Sequence, residues 1–219
     1  MLTIHAADLL LTGDRRAAVP GGAVLVDGRE CAALGPYEEL VAAHPAARVR
    51  RWPGVLTPGL LNPYGPELLE RAYHPDPREA GELGTEPLMG EDLEALQARG
   101  MSDARWGASA RRGVQRMLAH GTVAVAGALW RPAVLDAVYR AGLTVKERFG
   151  APAGPPVLDP LAGRSPAEAM PVPLPPDGAD GWDATFAVFD VPDEAALGKR
   201  GAGTCVATVV AGRLVHRRR

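Results

Sequence analysis

The sequence predicts a mixed α/β protein: a composite β-sandwich formed by both chain ends, with a βα segment inserted between them. Three observations predict it. Residues 1–54 and 182–219 are patterned as strands, and neither end alone supplies enough strands for a core. Between them, apolar runs alternate with helical periodicity in the order β-α-β-α-β, which predicts parallel strands joined by right-handed crossovers. Nine prolines then crowd residues 150–181 and interrupt the alternation. Three segments are therefore expected: a two-ended sandwich of residues 1–54 plus 182–219, a βα segment of residues 55–149, and a proline-rich strap of residues 150–181.

Taken in order, Ala23–Asp27 and Glu30–Leu34 are strands around Asp27-Gly28-Arg29. Asp-Gly between apolar runs favours a tight hairpin, because glycine tolerates positive φ. Residues 36–43 predict a short helix, with Pro36 at its first position and Glu38 and Glu39 at the positive end of the helix dipole. Arg48–Trp52 is a further strand. Val55–Leu61 predicts one buried strand, and residues 62–101 read as a long polar excursion punctuated by Pro63, Pro66, Pro75, Pro77 and Pro87. Ser102 is placed to cap a helix over 103–119. There Trp106, Ala110, Val114, Met117 and Leu118 fall on one side, and Gly121 ends it. Thr122–Ala126 is a second strand. Pro132–Ala141 is a second helix, with Val134, Leu135 and Val138 inward and Gly142 as its stop. Leu143–Val145 begins a third strand. The prolines of the strap exclude a regular helix or central strand.

Residues 55–66 read VLTPGLLNPYGP. This resembles the strand that opens the barrel of the metal-dependent amidohydrolase superfamily. There a Pro-Gly-(hydrophobic)₂-Asp/Asn segment runs into His-x-His, and the two histidines bind the catalytic metal. Here Pro58, Gly59, Leu60, Leu61 and Asn62 keep the lead-in, while Tyr64 and Pro66 stand at the two ligand positions. The opening stretches AADLLLTGD (6–14), GAVLVDG (22–28) and AALG (32–35), and the closing stretches DATFAVFD (183–190) and ATVVAGRLV (207–215), are similar to the family's two ends. In the family these ends pair into one small sandwich beside the barrel. The branch that the chain resembles is that of imidazolonepropionase and aminodeoxyfutalosine deaminase. A complete eight-unit barrel takes about 250 residues, and only about 125 separate the two ends here, so the inserted segment is expected to be a truncated barrel-like piece.

The 219 residues suffice for a buried core, and 47% hydrophobic with 23% charged residues is ordinary for a globular chain. A formal net charge of −2 gives no reason to expect a nucleic acid or an anionic membrane as partner. The alternation at Leu2, Thr3, Ile4 and His5 is not that of a leader peptide, and no apolar run approaches a membrane span. Cys31 and Cys205 fall in predicted strands as buried thiols and, without a disulfide framework, point to a reducing cytoplasm.

A catalytic zinc site takes about three protein ligands and one open position for water. Tyr64 is a poor ligand, the Pro66 side chain is none, and the truncation removes later strands, so neither a metal nor another cofactor is expected. His5 and His216 fall in the sandwich, His44 in a turn and His120 at a helix C-terminus. Of the histidines only His74 follows the first barrel strand. Ligands of βα folds bind at the C-terminal ends of strands. Those ends carry Asn62, Tyr64, Glu67 and Glu70 after the first strand, with His74 in the loop beyond, Trp130 and Arg131 after the second, and Lys146, Glu147 and Arg148 near the third. Asn62, Tyr64, Glu67, His74, Trp130, Arg131 and Lys146 are the candidate ligand-binding residues, and ion-paired surface charges are the alternative for the charged ones. Gly198–Thr204 has the glycine content of a phosphate loop, but it lies between a helix and a strand in the reverse order and reads as a connector. Arg105, Arg111, Arg112 and Arg116 form a basic helix face that the acidic residues of 79–94 can neutralise.

The expected function is that of an amidohydrolase-like, non-catalytic protein binding a partner protein or a small ligand. The open sheet face is covered either by the proline-rich strap or by another chain, and a homodimer or a complex with a larger protein is expected. The alternatives are a hydrolase or deaminase acting on non-peptide carbon–nitrogen bonds of a purine- or imidazolone-like substrate, and a structural subunit of a larger enzyme.

Overall fold

A computed structural model of the chain describes residues 1–13, 16–170, 172–175 and 181–218. Asp14, Pro171, Pro176 and Arg219, which the sequence reading included, lie outside the described residues. The fold is mixed α/β, with three sheets, eight α-helices and no closed barrel among the described residues.

The strands and helices run as follows. The first half holds β1 (Leu2–Ala6), β2 (Leu9–Leu10), β3 (Val19–Pro20), β4 (Gly22–Asp27), β5 (Glu30–Pro36), α1 (Tyr37–Ala43), β6 (Arg48–Arg51), β7 (Val55–Pro58), β8 (Leu60–Asn62), α2 (Gly65–Leu69), α3 (Ala80–Leu83), α4 (Gly90–Ala98) and α5 (Asp103–Leu118). The second half holds β9 (Thr122–Ala126), α6 (Pro132–Ala141), β10 (Thr144–Lys146), α7 (Pro166–Ala169), β11 (Phe186–Phe189), α8 (Glu194–Arg200), β12 (Cys205–Val210) and β13 (Arg213–Arg217).

Contacts divide the chain into two compact units. Unit 1 is Met1–Leu61, Ala119–Val123 and Asp159–Arg219; unit 2 is Asn62–Leu118 and Ala124–Leu158.

Unit 1 contains a four-stranded sheet, β5-β4-β1-β6, and a six-stranded sheet, β13-β12-β11-β7-β2-β3. The β4–β5 hairpin turns at Gly28, whose φ of 59° only glycine adopts without strain. Val24 and Val26 of the first sheet share one core with Leu10, Leu56, Phe186, Val188, Ala207 and Val209 of the second. Phe186 and Phe189 are fully buried, each worth roughly 1.5–3 kcal/mol of apolar transfer. The two chain ends meet in one sheet through β7, which pairs with β2 on one side and β11 on the other. Direct pairing of residues 206–210 with an N-terminal strand, expected from the two-ended pattern, does not occur; β12 pairs with β11 and β13.

Val55–Leu61 is not one strand. It is interrupted at Gly59, since β7 pairs in the six-stranded sheet and β8 in a three-stranded one with β9, and a side chain at Gly59 would meet Val123 at 2.2 Å. β7 therefore belongs to the six-stranded sheet rather than to the βα segment, and the Leu60 N–H continues the chain to the Gly121 carbonyl. Pro36 caps α1 instead of opening it, since it still belongs to β5. The strap is not uniformly extended. Pro166 sits in the first turn of the four-residue helix α7, where its missing N–H costs nothing, and Ser165 and Glu168 cap that helix reciprocally. Leu161, Ala169 and Met170 then join a core with Val55, Leu60, Ala187 and Phe189.

In unit 2, β10 runs parallel to the second half of β9. Helix α5 buries Trp106, Ala110, Val114, Met117 and Leu118, as their spacing predicts, and the Ser102 hydroxyl accepts the Arg105 N–H at 3.3 Å. Helix α6 buries Val134 and Val138 and ends at Gly142, φ 83°. The stretch 62–101 is not a polar excursion. It holds α2, α3 and α4, and Tyr73, Leu93, Leu96 and Trp106 form a core of their own.

Candidate functional site

The seven sequence-selected residues all belong to unit 2. Three of them, Asn62, Tyr64 and Glu67, meet around the segment that follows β10. Asn62 is fully buried at the end of β8. Its amide nitrogen donates to the carbonyls of Val157 at 3.0 Å and Leu158 at 3.1 Å, and its amide oxygen accepts the Tyr64 N–H at 2.9 Å. The Tyr64 hydroxyl donates to the Ala153 carbonyl. Glu67 receives both arms of Arg148, at 2.8 and 3.0 Å, and Arg148 also donates to the Pro63 carbonyl. Burial pushes the Glu67 carboxyl up, but the Arg148 hydrogen bonds and charge outweigh it and hold the group below its usual range. Arg148 is raised by the same pair.

The local sequence explains this closure. Tyr64 precedes α2 as its N-cap, Pro66 lies in the first helical turn, and Glu67 follows at the positive end of the dipole. Pro66 packs its ring so closely that a side chain at Gly127 would meet it at 2.7 Å.

The other candidates stand apart. His74 is fully buried against α5. Its Nε2 lies 2.8 Å from the Leu68 carbonyl, its backbone N–H donates to the Ser109 hydroxyl, and its Nδ1 has no partner. Burial lowers it to about 4, so the ring is neutral at pH 7. Trp130 and Arg131 use their backbone N–H groups on the Glu70 carboxylate, both at 2.6 Å. The Trp130 side chain is 78% exposed, and the Arg131 guanidinium lies 4.4 Å from the centroid of the Trp106 ring. Lys146 is exposed, and its carbonyl accepts the Gly127 N–H.

Arg148 and Glu70, placed at the strand ends by the sequence but not among the seven candidates, hold Glu67 and the Trp130 and Arg131 N–H groups respectively. The backbone carbonyls of 153–158 are what the sequence did not offer, since nothing local marks them as partners of Asn62 and Tyr64. A cleft of about 340 Å³ lies elsewhere in unit 2, lined by Glu82, Leu83, Leu88, Asp92, Ala95, Leu96 and Arg99, and holds none of the seven.

The donors at the strand end do not fit a catalytic metal. Tyr64 spends its hydroxyl on a backbone carbonyl, Pro66 offers no donor, and among the described residues no three His, Cys, Asp or Glu side chains converge. The glycine-rich segment 198–204 is a connector in a fixed form: the Asp159 carboxylate accepts the Ala202 N–H at 3.0 Å, so one of its amides already holds an anion. The basic face of α5 is partly neutralised, by Glu79 on Arg105 and Asp76 on Arg112. No helix among the described residues is long and apolar enough to cross a membrane.

No family model and no curated protein matches the chain. Solved structures do. The chain is similar to ochratoxinase from A. niger with 20% identity and a TM-score of 0.45, over 67% of this chain and 31% of that one. It is similar to Helicobacter pylori aminofutalosine deaminase at 15% identity and a TM-score of 0.42, over 67% and 33%. It is similar to guanine deaminase from Bradyrhizobium japonicum at 17% identity and a TM-score of 0.40, over 70% and 37%. The chain thus spans about a third of the length of these structures. The three structures are an ochratoxinase and two deaminases.

Proposed function

We propose that this chain is a non-catalytic, amidohydrolase-like protein that works by binding a partner protein, with its two ends forming a composite sandwich beside a truncated βα segment. One observation carries the reading. At the end of β8, where a hydrolytic site would need free ligands and room for water, Asn62 and Tyr64 hold the backbone of residues 153–158 and Glu67 is neutralised by Arg148. Groups so engaged neither activate water nor receive substrate without breaking these bonds. Support for a partner comes from unit 2, where Trp130, Tyr139 and Phe149 are 78%, 61% and 94% exposed and β10 ends its sheet. A second copy or a larger protein is the expected partner.

The test is elemental analysis of protein purified without chelator, with deaminase and amidohydrolase assays before and after zinc addition. The expected result is no stoichiometric metal and no turnover, and Tyr64→His with Pro66→His restores neither, since two histidines fall short of three ligands. One tightly bound metal per chain, with turnover abolished by chelator, overturns the reading.

A further inference from the structure

A second surface, in unit 1, carries cations that have no carboxylate partner among the described residues. β6 ends the four-stranded sheet and β13 ends the six-stranded one. The β1–β6 register sets Arg48 beside Thr3 and Arg50 beside His5. Alternation along β6 puts Arg48 and Arg50 on one face and Val49 and Arg51 on the other. The first face is that of His5, which stacks on Trp52, packs edge-on against Phe186 and accepts the Trp52 indole N–H at 3.1 Å. From β13, the Arg217 guanidinium lies 5.7 Å from the Trp52 ring.

None of Arg48, Arg50 and Arg217 forms an ion pair among the described residues, whereas Arg29, Arg105 and Arg148 each hold a carboxylate. Arg50 lies on the face of His5, whose ring accepts the Trp52 indole N–H, and Arg217 lies against the same Trp52; partial burial, then the charges of Arg48 and Arg217, depress Arg50 below the ordinary guanidinium value. Bringing like charges together opposes folding, and a bound anion removes that cost. The chain as a whole carries a formal charge of −2, so the cluster is a local feature and not a reflection of composition.

The shape selects among anions. Trp52 is 8% exposed and already carries His5 and Arg217 over its ring, so it offers no platform on which a nucleic-acid base could stack. An edge strand presents unpaired backbone groups, which an extended peptide satisfies by adding a strand, its alternate side chains then facing one way. We propose that the β6 edge is the docking site for an extended acidic segment of a partner protein, whose alternate carboxylates meet Arg48, Arg50 and Arg217.

The experiment is fluorescence anisotropy of the intact protein with a labelled alternating Glu-Val heptapeptide. A Gln-Val heptapeptide, inorganic pyrophosphate and an oligothymidylate serve as comparisons. Binding of the Glu-Val peptide is expected to weaken as salt shortens the screening length. The Gln-Val peptide should bind about tenfold less tightly, and R50Q combined with R217Q should lose about tenfold for the Glu-Val peptide, on the order of two exposed ion pairs. The double variant should keep or raise its melting temperature, because it relieves repulsion. If its circular dichroism is altered, Arg48→Gln, an exposed position, repeats the measurement. Equal affinity for the Glu-Val and Gln-Val peptides, no effect of the variants, or pyrophosphate or oligothymidylate binding as tightly as the peptide overturns the proposal. The outcome is independent of the metal and turnover assays on the same preparation: inert protein that ignores the peptide sinks this inference alone, and turnover sinks the non-catalytic reading alone.

Discussion

Replacing Asn62 by alanine tests whether the segment 153–158 closes the strand end by design of the side chains or merely lies over it. The substitution removes three hydrogen bonds, two given to the Val157 and Leu158 carbonyls and one received from the Tyr64 N–H. Each is worth about 0.5–1.5 kcal/mol net, and the buried groups left behind cannot all find water, so the loss should be about 2–4 kcal/mol. With a urea slope of about 2–3 kcal/mol per molar, the midpoint should fall by about 1 M. Limited proteolysis should also begin within residues 150–158, where wild type resists. Asn62→Asp sharpens the test. It keeps the acceptor for Tyr64 but aims a carboxylate at two carbonyl oxygens, which raises its pKa in the folded state. The extra destabilisation, measured as the difference from wild type at each pH, is present above the unfolded value near 4 and should shrink as pH falls through the raised folded one. A midpoint shift for Asn62→Ala equivalent to less than about 0.5 kcal/mol, with unchanged proteolysis, would refute the closure and with it the main support for the non-catalytic reading.

Three further outcomes are expected. His5 and His74 are buried and lowered to about 4, so the unfolded chain binds protons first as pH drops below 6.5; stability should be full above that value and fall progressively toward pH 4, and His5→Gln should reduce the slope in pH-dependent urea titrations. Gly113→Ala places a methyl 2.6 Å from the His74 ring nitrogen and 2.9 Å from Leu69, and should cost about 1–3 kcal/mol by thermal or chemical denaturation, unlike Gly81→Ala, which meets nothing. Cys31 and Cys205 are buried and burial raises the Cys205 thiol, so neither should react with a thiol reagent until denaturant is added; labelling of the native protein would contradict the packing.

Short-range physics made much of the chain legible from its residues alone. The Gly28 turn, the Ser102 start of α5, the Gly142 stop of α6 and the whole of β9 follow from steric limits on φ and from a 3.6- or 2-residue period, which act within a few positions. That Tyr64 and Pro66 are poor metal donors was equally readable, because it concerns side-chain chemistry and not placement. What tertiary structure decided involves partners far along the chain. Val55–Leu61 has a single strand's pattern, but its first half pairs with β2 and β11 and its second with β9, so two sheets share it. His74 looks like a loop ligand, but Leu68, Ser109 and Gly113 enclose it as a neutral core residue. Asn62 and Tyr64 look available until residues 153–158 return over them, and Trp52 gives no local sign that β13 will bring Arg217 against its ring. Hydrophobic period specifies which face of an element is buried; which distant element meets that face depends on the packing of all the others, and no local pattern encodes it.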